Sequence, residues 1–378
     1  MSKHLTKISI VTILFFFLHC ASSPGKSPKS YHPSDPFWNE ISDFISGIET
    51  PESKFYSFSS SSNYKNYSKS IDAFWSKIQT DYISHVTTFS NEKLPAKYKN
   101  NTGFYPLSGA DFINLYFFSP GSPRYIMVGL EPPGMISDPS SISTNDLNNG
   151  LNSVISIMSE ISAQNYFTRK RMKREFANKH FSGTLPVMLI FLNRLGMVVD
   201  YVRKIGISPN GEILEYSNII GNNIEGNQIF FHPKSNPNDK RELLYFKLFI
   251  NENSWEESTP EGAFFNKSGR LNVVMKSAEY VMQQDIYKSF LHGLIQKTDY
   301  IVQDDSAIPL NILDNAIWEK KAFGEYNGRI KLQNTPNVPD QKELFELIKE
   351  QKNQLPFKFG YGVLKGADKS NLMIICRK

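Results

Sequence analysis

Four carboxylates stand where this chain is best placed to do chemistry. Glu131 follows the run Arg124-Tyr125-Ile126-Met127-Val128, and Asp304 and Asp305 follow Tyr300-Ile301-Val302. Both runs read as short buried strands. The acids therefore sit just past strand C-termini, the edge at which open α/β sheets collect ligands. If the strands are parallel neighbours, three carboxylates converge there and Asp111 can join them. Such a group offers oxygen ligands to a divalent cation, or divides into acid and base where burial drives the pKa values apart. Glu131, Asp304, Asp305 and Asp111 are thus the candidate catalytic residues. The first three are also the candidate metal ligands, and a divalent cation is the one cofactor the pattern allows. The plainer alternative is that Glu131-Pro132-Pro133-Gly134 is a rigid turn and that the Asp305-Ser306 region accepts backbone N–H bonds before Pro309.

Other constellations carry less. Arg169, Lys170, Arg171, Lys173 and Arg174 form a cationic run suited to anionic headgroups, but at 100° per residue they wrap a helix instead of making one face. Ser62-Asn63-Tyr64-Lys65, Ser143-Thr144-Asn145 and Lys267-Ser268-Gly269 match in order the SxxK, SxN and KSG elements of penicillin-recognising serine enzymes. The first lies in a serine-rich stretch and the last reads as a turn. Gly360-Tyr361-Gly362 with Gly366 misses the dinucleotide spacing. The seven histidines include no HExxH and the two cysteines no CxxC, which argues against zinc.

The start of the chain has the layout of a signal peptide: Lys3 and Lys7, an apolar run from Ile8 to Leu18, then Cys20. That run is too short to span a bilayer, which takes about 20 residues. Phe17-Leu18-His19-Cys20 resembles the lipobox of bacterial lipoproteins, although His19 replaces the usual small residue. The resemblance implies acylation of Cys20, palmitate included, after removal of residues 1–19. Ser-, Pro- and Lys-rich residues 20–36 then read as a tether. Ala21 and Ser22 follow the cysteine without the Asp that resembles an inner-membrane retention signal, so the expected location is the cell envelope, on the outer membrane.

The formal net charge is +5, of which Lys3 and Lys7 supply two, too weak an excess for a nucleic-acid binder. The composition, 40% hydrophobic with 28 Phe and 18 Tyr, fills a sizeable core. If Cys20 is acylated, Cys376 has no partner within the chain, and its place in Leu372-Met373-Ile374-Ile375-Cys376 predicts an inert thiol in a core strand.

Helical spacing recurs over Phe37–Ile48, Ile71–Phe89, Leu147–Ile161, Leu185–Leu195 and Ile286–Ile295, and near Leu313 and Glu343. Ser57–Ser70 reads as an exposed loop. Strands are expected at Met197–Lys204, Gln228–His232, Glu242–Ile250 and Leu372–Ile375; Leu271–Met282 is ambiguous. The pattern predicts an α+β fold, a mixed sheet covered by helices. An N-terminal helical segment (37–103) precedes a mixed domain (104–378).

Tyr105-Pro106-Leu107-Ser108-Gly109-Ala110-Asp111-Phe112, Gly129-Leu130-Glu131-Pro132-Pro133-Gly134 and Gln303-Asp304-Asp305-Ser306-Ala307-Ile308-Pro309 resemble motifs of an uncharacterised family of exported bacterial proteins. Gly183-Thr184-Leu185-Pro186, Phe323-Gly324-Glu325-Tyr326 and Leu355-Pro356-Phe357 extend the likeness. It implies one shared domain and no activity. The expectation is a lipid-anchored envelope protein that binds a ligand or partner. The alternative is an envelope hydrolase, with or without a divalent cation, that uses the acidic residues.

Overall fold

The structure, a computed structural model, describes residues 34–164, 177–215, 224–331, 336–363 and 370–378. Cys20 with its leader, and the cationic run from Arg169 to Arg174, lie outside them. The fold is mixed α+β. Its strands in chain order are β1 (Thr102–Tyr105), β2 (Arg124–Gly129), β3 (Met135–Ile136), β4 (Phe181–Ser182), β5 (Met197–Ile207), β6 (Ile213–Glu215), β7 (Glu225–Pro233), β8 (Arg241–Lys247), β9 (Leu271–Met275), β10 (Thr298–Gln303), β11 (Trp318–Gly324) and β12 (Asn371–Arg377). Ten of them form one sheet in the order β11-β12-β10-β9-β1-β2-β8-β7-β5-β6, while β3 and β4 pair separately. The central five, from β10 to β8, are parallel, and both flanks are antiparallel.

Because successive strand residues point to opposite faces, each central strand feeds two cores. Tyr105, Tyr125, Met127, Leu243 and Tyr245 enter one. Phe104, Ile126, Val128, Leu244 and Phe246 enter the other. The first core is roofed by helices α1 (Pro36–Ile45), α2 (Tyr56–Ser59), α3 (Ser62–Ile78), α4 (Ser84–Lys93), α5 (Phe112–Phe118), α6 (Thr144–Gln164) and α7 (Leu185–Arg194). The second is covered by α8 (Pro260–Lys267), α9 (Lys288–Lys297) and α10 (Lys342–Gln351). The N-terminal helices thus complete the sheet's own core. Helix α7 is buried from Leu185 to Asn193, which explains a sequence apolar on every side. Among the described residues no helix is long and apolar enough to cross a membrane.

Three expectations are corrected. The serine-rich stretch from Ser57 to Ser70 is mostly helix: Ser61 caps α3 by accepting the Tyr64 N–H, and Tyr64, Tyr67 and Ile71 form a buried stripe. Its apolar face begins with tyrosines, and the Tyr64 hydroxyl donates to the Phe44 carbonyl at 2.6 Å. Near Leu313 there is one 3-10 turn, Leu310–Ile312, since β11 opens at Trp318 and leaves no length for a helix. Cys376 is half-buried, packed at the rim of the first core. Partial burial, and then the charge of Glu319, still push its thiol up to about 11.

Edge strand β11 is closed by the chain end of α10. Gln351 accepts the Ala322 N–H and donates to the Lys320 carbonyl, and Asn353 donates to the Ala322 carbonyl. Side chains thereby occupy backbone groups that an open edge would offer to another strand.

Candidate functional site

Strand β2 lies on one side of β1 and β9 on the other, so the order of the parallel strands reverses between β1 and β9. Ligand crevices of open sheets form outside the carboxyl ends at such a point. Here the loops after β1, β2 and β9 enclose a cavity of about 290 Å³, lined among others by Tyr105, Asp111, Glu131, Lys276 and Ser277. That is the lower end of small-molecule sites, roughly 300–1,000 Å³.

At the back of the cavity Asp111 and Lys276 form an ion pair, Oδ2 to Nζ 2.7 Å, and both residues are buried. Asp111 also accepts from the Asn114 amide at 2.7 and 2.9 Å and from the Tyr105 hydroxyl at 3.2 Å. Asn114 in turn accepts from Tyr82. Burial, and next the charge of Asp111, hold both tyrosines well above their ordinary range, so they remain hydroxyl donors. Tyr82 reaches this network from a π-helical turn, Gln79–Ile83, between α3 and α4. Single π turns inside helices frequently mark functional sites. Asp111 also lines a larger groove of about 1130 Å³ bordered by that turn and by Leu355 and Phe357. It is the partition between the two.

On the other wall, Glu131 Oε2 accepts from the Leu130 N–H at 3.1 Å and the Tyr245 hydroxyl at 3.4 Å. Tyr245 also donates to the Glu131 carbonyl at 3.0 Å. This arrangement needs a glycine at 129: a Cβ there would stand 2.5 Å from the Tyr245 hydroxyl oxygen and 2.8 Å from Glu131 Oε2. The turn beyond is pinned by Thr184 and Leu185, whose N–H groups donate to the Pro132 and Pro133 carbonyls at 3.0 Å.

The backbone around the cavity is strained. Leu107 (φ 60°), Ser277 (52°), Glu279 (51°) and Tyr280 (57°) adopt left-handed conformations. Among the described residues only Lys352, which ends α10, is a further non-glycine with positive φ. Three of the four line the cavity and Tyr280 adjoins it. Such conformations cost on the order of 1 kcal/mol or more each and persist where the surroundings enforce them, typically at binding and catalytic sites.

Asp304 and Asp305 end up at the same sheet edge as Glu131 but are not brought together with it. Strands β9 and β1 stand between β10 and β2, three spacings or about 14 Å of lateral separation. Asp304 accepts from the Ser277 N–H at 2.9 Å, the Ser306 N–H at 3.0 Å and the Ser306 hydroxyl. Asp305 accepts from Tyr280 at 2.8 Å and Asn371 at 2.9 Å. The pair stitches the loop after β9 to β10 and β12. Gly360, whose run with Gly362 and Gly366 misses the dinucleotide spacing, packs on Asp304 so closely that a Cβ would lie 2.0 Å from Oδ2. Burial, and next the charge of Asp305, push Asp304 up to about 7 against these donors; burial also raises Asp305.

Among the described residues no group of three or more His, Cys, Asp or Glu side chains is arranged to hold a metal ion. Of the residues resembling the penicillin-recognising enzymes, Lys267 is engaged by Glu212 and the Asn210 carbonyl, and Ser268 ends α8. Sequence reasoning missed Lys276, Tyr82, Asn114 and Tyr105. Only Lys276 left a local signal, as the lysine that ends the apolar run Val273-Val274-Met275. No protein-family model matches the chain, and neither does any curated protein or solved structure.

Proposed function

We propose that this chain is a lipid-anchored envelope protein whose folded part binds a small molecule in the cavity at the carboxyl edge of the parallel strands. The clustering of left-handed, non-glycine backbone around that cavity carries the reading. Strain is maintained at the rim, at the position where α/β sheets bind ligands. A hydrolase that pairs Glu131 with Asp304 and Asp305 has less support, because the two aspartates accept hydrogen bonds from neighbouring loops.

The cavity is tested by filling it. Val281 lines it and is only partly buried at the margin of the second core, so Val281→Trp should occupy the space while keeping an apolar side chain against that core. In a thermal-shift screen of small metabolites, at least one compound should raise the melting temperature of the native chain and leave V281W unmoved. Saturation at a hundredfold excess over Kd stabilises by about 2.7 kcal/mol, well within detection. A screen in which no compound separates the two proteins removes the cavity reading.

The anchor rests on the short apolar leader, Cys20 and the tether. Acyl chains contribute about 0.8 kcal/mol per buried CH₂, so a cysteine carrying several of them stays in the membrane. Cys20→Ser should leave an unprocessed precursor, while the native protein enters the detergent phase of a temperature-induced phase separation. Recovery of native protein in the aqueous phase would rule the anchor out.

A further inference from the structure

The cavity's charge points to a ligand class. Among the described residues its lining carries three carboxylates, Asp111, Glu131 and Glu279, against one ammonium, Lys276. Lys276 is paired with Asp111 at 2.7 Å, which leaves Glu131, partly buried, as the carboxylate of the described lining without a cation, while Glu279 stands exposed to solvent at the rim. Glu131 accepts hydrogen bonds only on Oε2, and among the described residues Oε1 has no partner. Aromatic rings of Tyr105, Tyr287 and Tyr361 supply much of the remaining wall.

A carboxylate oxygen without a donor, in a net-negative and partly aromatic enclosure, is what a compact group with N–H donors and a positive charge requires. Low-dielectric walls strengthen that field, and ring faces attract cations further. An anion would meet Glu131 and Glu279, and a neutral alcohol would leave the excess charge unmatched.

We infer that the cavity selects compact organic ammonium ions, with Glu131 as the counter-charge. This rests on the cavity-binding reading above. A quaternary ammonium, which has no N–H to give the Glu131 carboxylate, should bind more weakly than a primary one of the same body.

The test uses matched probes that differ only in head group: phenethylammonium, 2-phenylethanol and phenylacetate, with n-butylammonium, 1-butanol and butyrate as an aliphatic set. Titration calorimetry on the full chain should show at least one ammonium binding tenfold or more tightly than its alcohol, with the carboxylate weakest. Glu131→Gln should collapse that ratio to within about threefold while the alcohol's affinity stays unchanged. V281W should abolish binding of all members. Equal or tighter binding of an alcohol or carboxylate would overturn the inference, as would the absence of binding by either ammonium. If the metabolite screen still yields a neutral or anionic compound that V281W excludes, the ligand class is wrong and the cavity reading stands. If it yields none, both fall.

Discussion

Asp111→Ala should lower stability by about 3–5 kcal/mol, the largest loss expected from any single change near the cavity, because it leaves the Lys276 ammonium buried without its counter-charge. The same change strips the Asn114 amide and the Tyr105 hydroxyl of their acceptor, and each orphaned buried donor adds to the cost. The diagnostic comparison is with the double variant Asp111→Ala, Lys276→Met. Removing both charges leaves no unpaired ion, so the double variant should recover more than half of the loss in urea or thermal unfolding. If it is as unstable as the sum of the two single variants, the ion pair does not account for Asp111.

The pH dependence of stability should carry the mark of Asp304. Burial raises its carboxyl from an ordinary 3.8 to about 7 in the folded protein, so between those values the folded state holds a proton that the unfolded state releases. The stability this group contributes is therefore fully present below pH 3.8 and lost as the pH rises through about 7, on the order of a few kcal/mol. Asp304→Asn removes the titration. It also sacrifices an acceptor for the Ser277 or Ser306 N–H, a cost that does not vary with pH. The variant should thus be less stable than the native chain at pH 5 and gain on it steadily up to pH 8. A stability difference that is flat across this range would mean that the carboxylate is already ionised at pH 5.

What was legible from sequence follows from how local each signal is. Continuous apolar runs gave β2, β10, β12 and α7, and the position just past a strand end placed Glu131 at the sheet's carboxyl edge. Strand β1 was missed because Thr102–Tyr105 is four residues long and includes Gly103, too little to establish a period. Strand β11, Trp-Glu-Lys-Lys-Ala-Phe-Gly, is an edge strand with an exposed charged side and so lacks a buried run. The Tyr82–Asn114–Asp111 chain joins a π turn to the loop after β1, a contact made only by tertiary packing. The failure of Asp304 and Asp305 to meet Glu131 depends on strand order, which no local pattern encodes. That Asp305 or Ser306 accepts a backbone N–H was legible, since Asp and Ser at a reversal commonly do so, and the Ser306 hydroxyl accepts from Ala278 at 2.7 Å; that Asp304 takes two more was not.

The described chain begins beside β5, where the Asp35 N–H donates to the Asp200 carbonyl at 2.8 Å. The sheet register sets Asp200 level with the first residues of β8 and β2, whereas the cavity lies past their last residues. At about 3.3 Å per residue the two are roughly 20 Å apart along the strands, before any sideways offset. From Cys20 to Asp35 the chain can reach at most about 55 Å when extended. With lipid on Cys20, a cord of that reach would hold the domain off the bilayer without fixing which way it faces, and the cavity mouth would stay open to the aqueous compartment. Ligand exchange would then proceed by diffusion from solution, insensitive to bilayer composition and to the length of the cord.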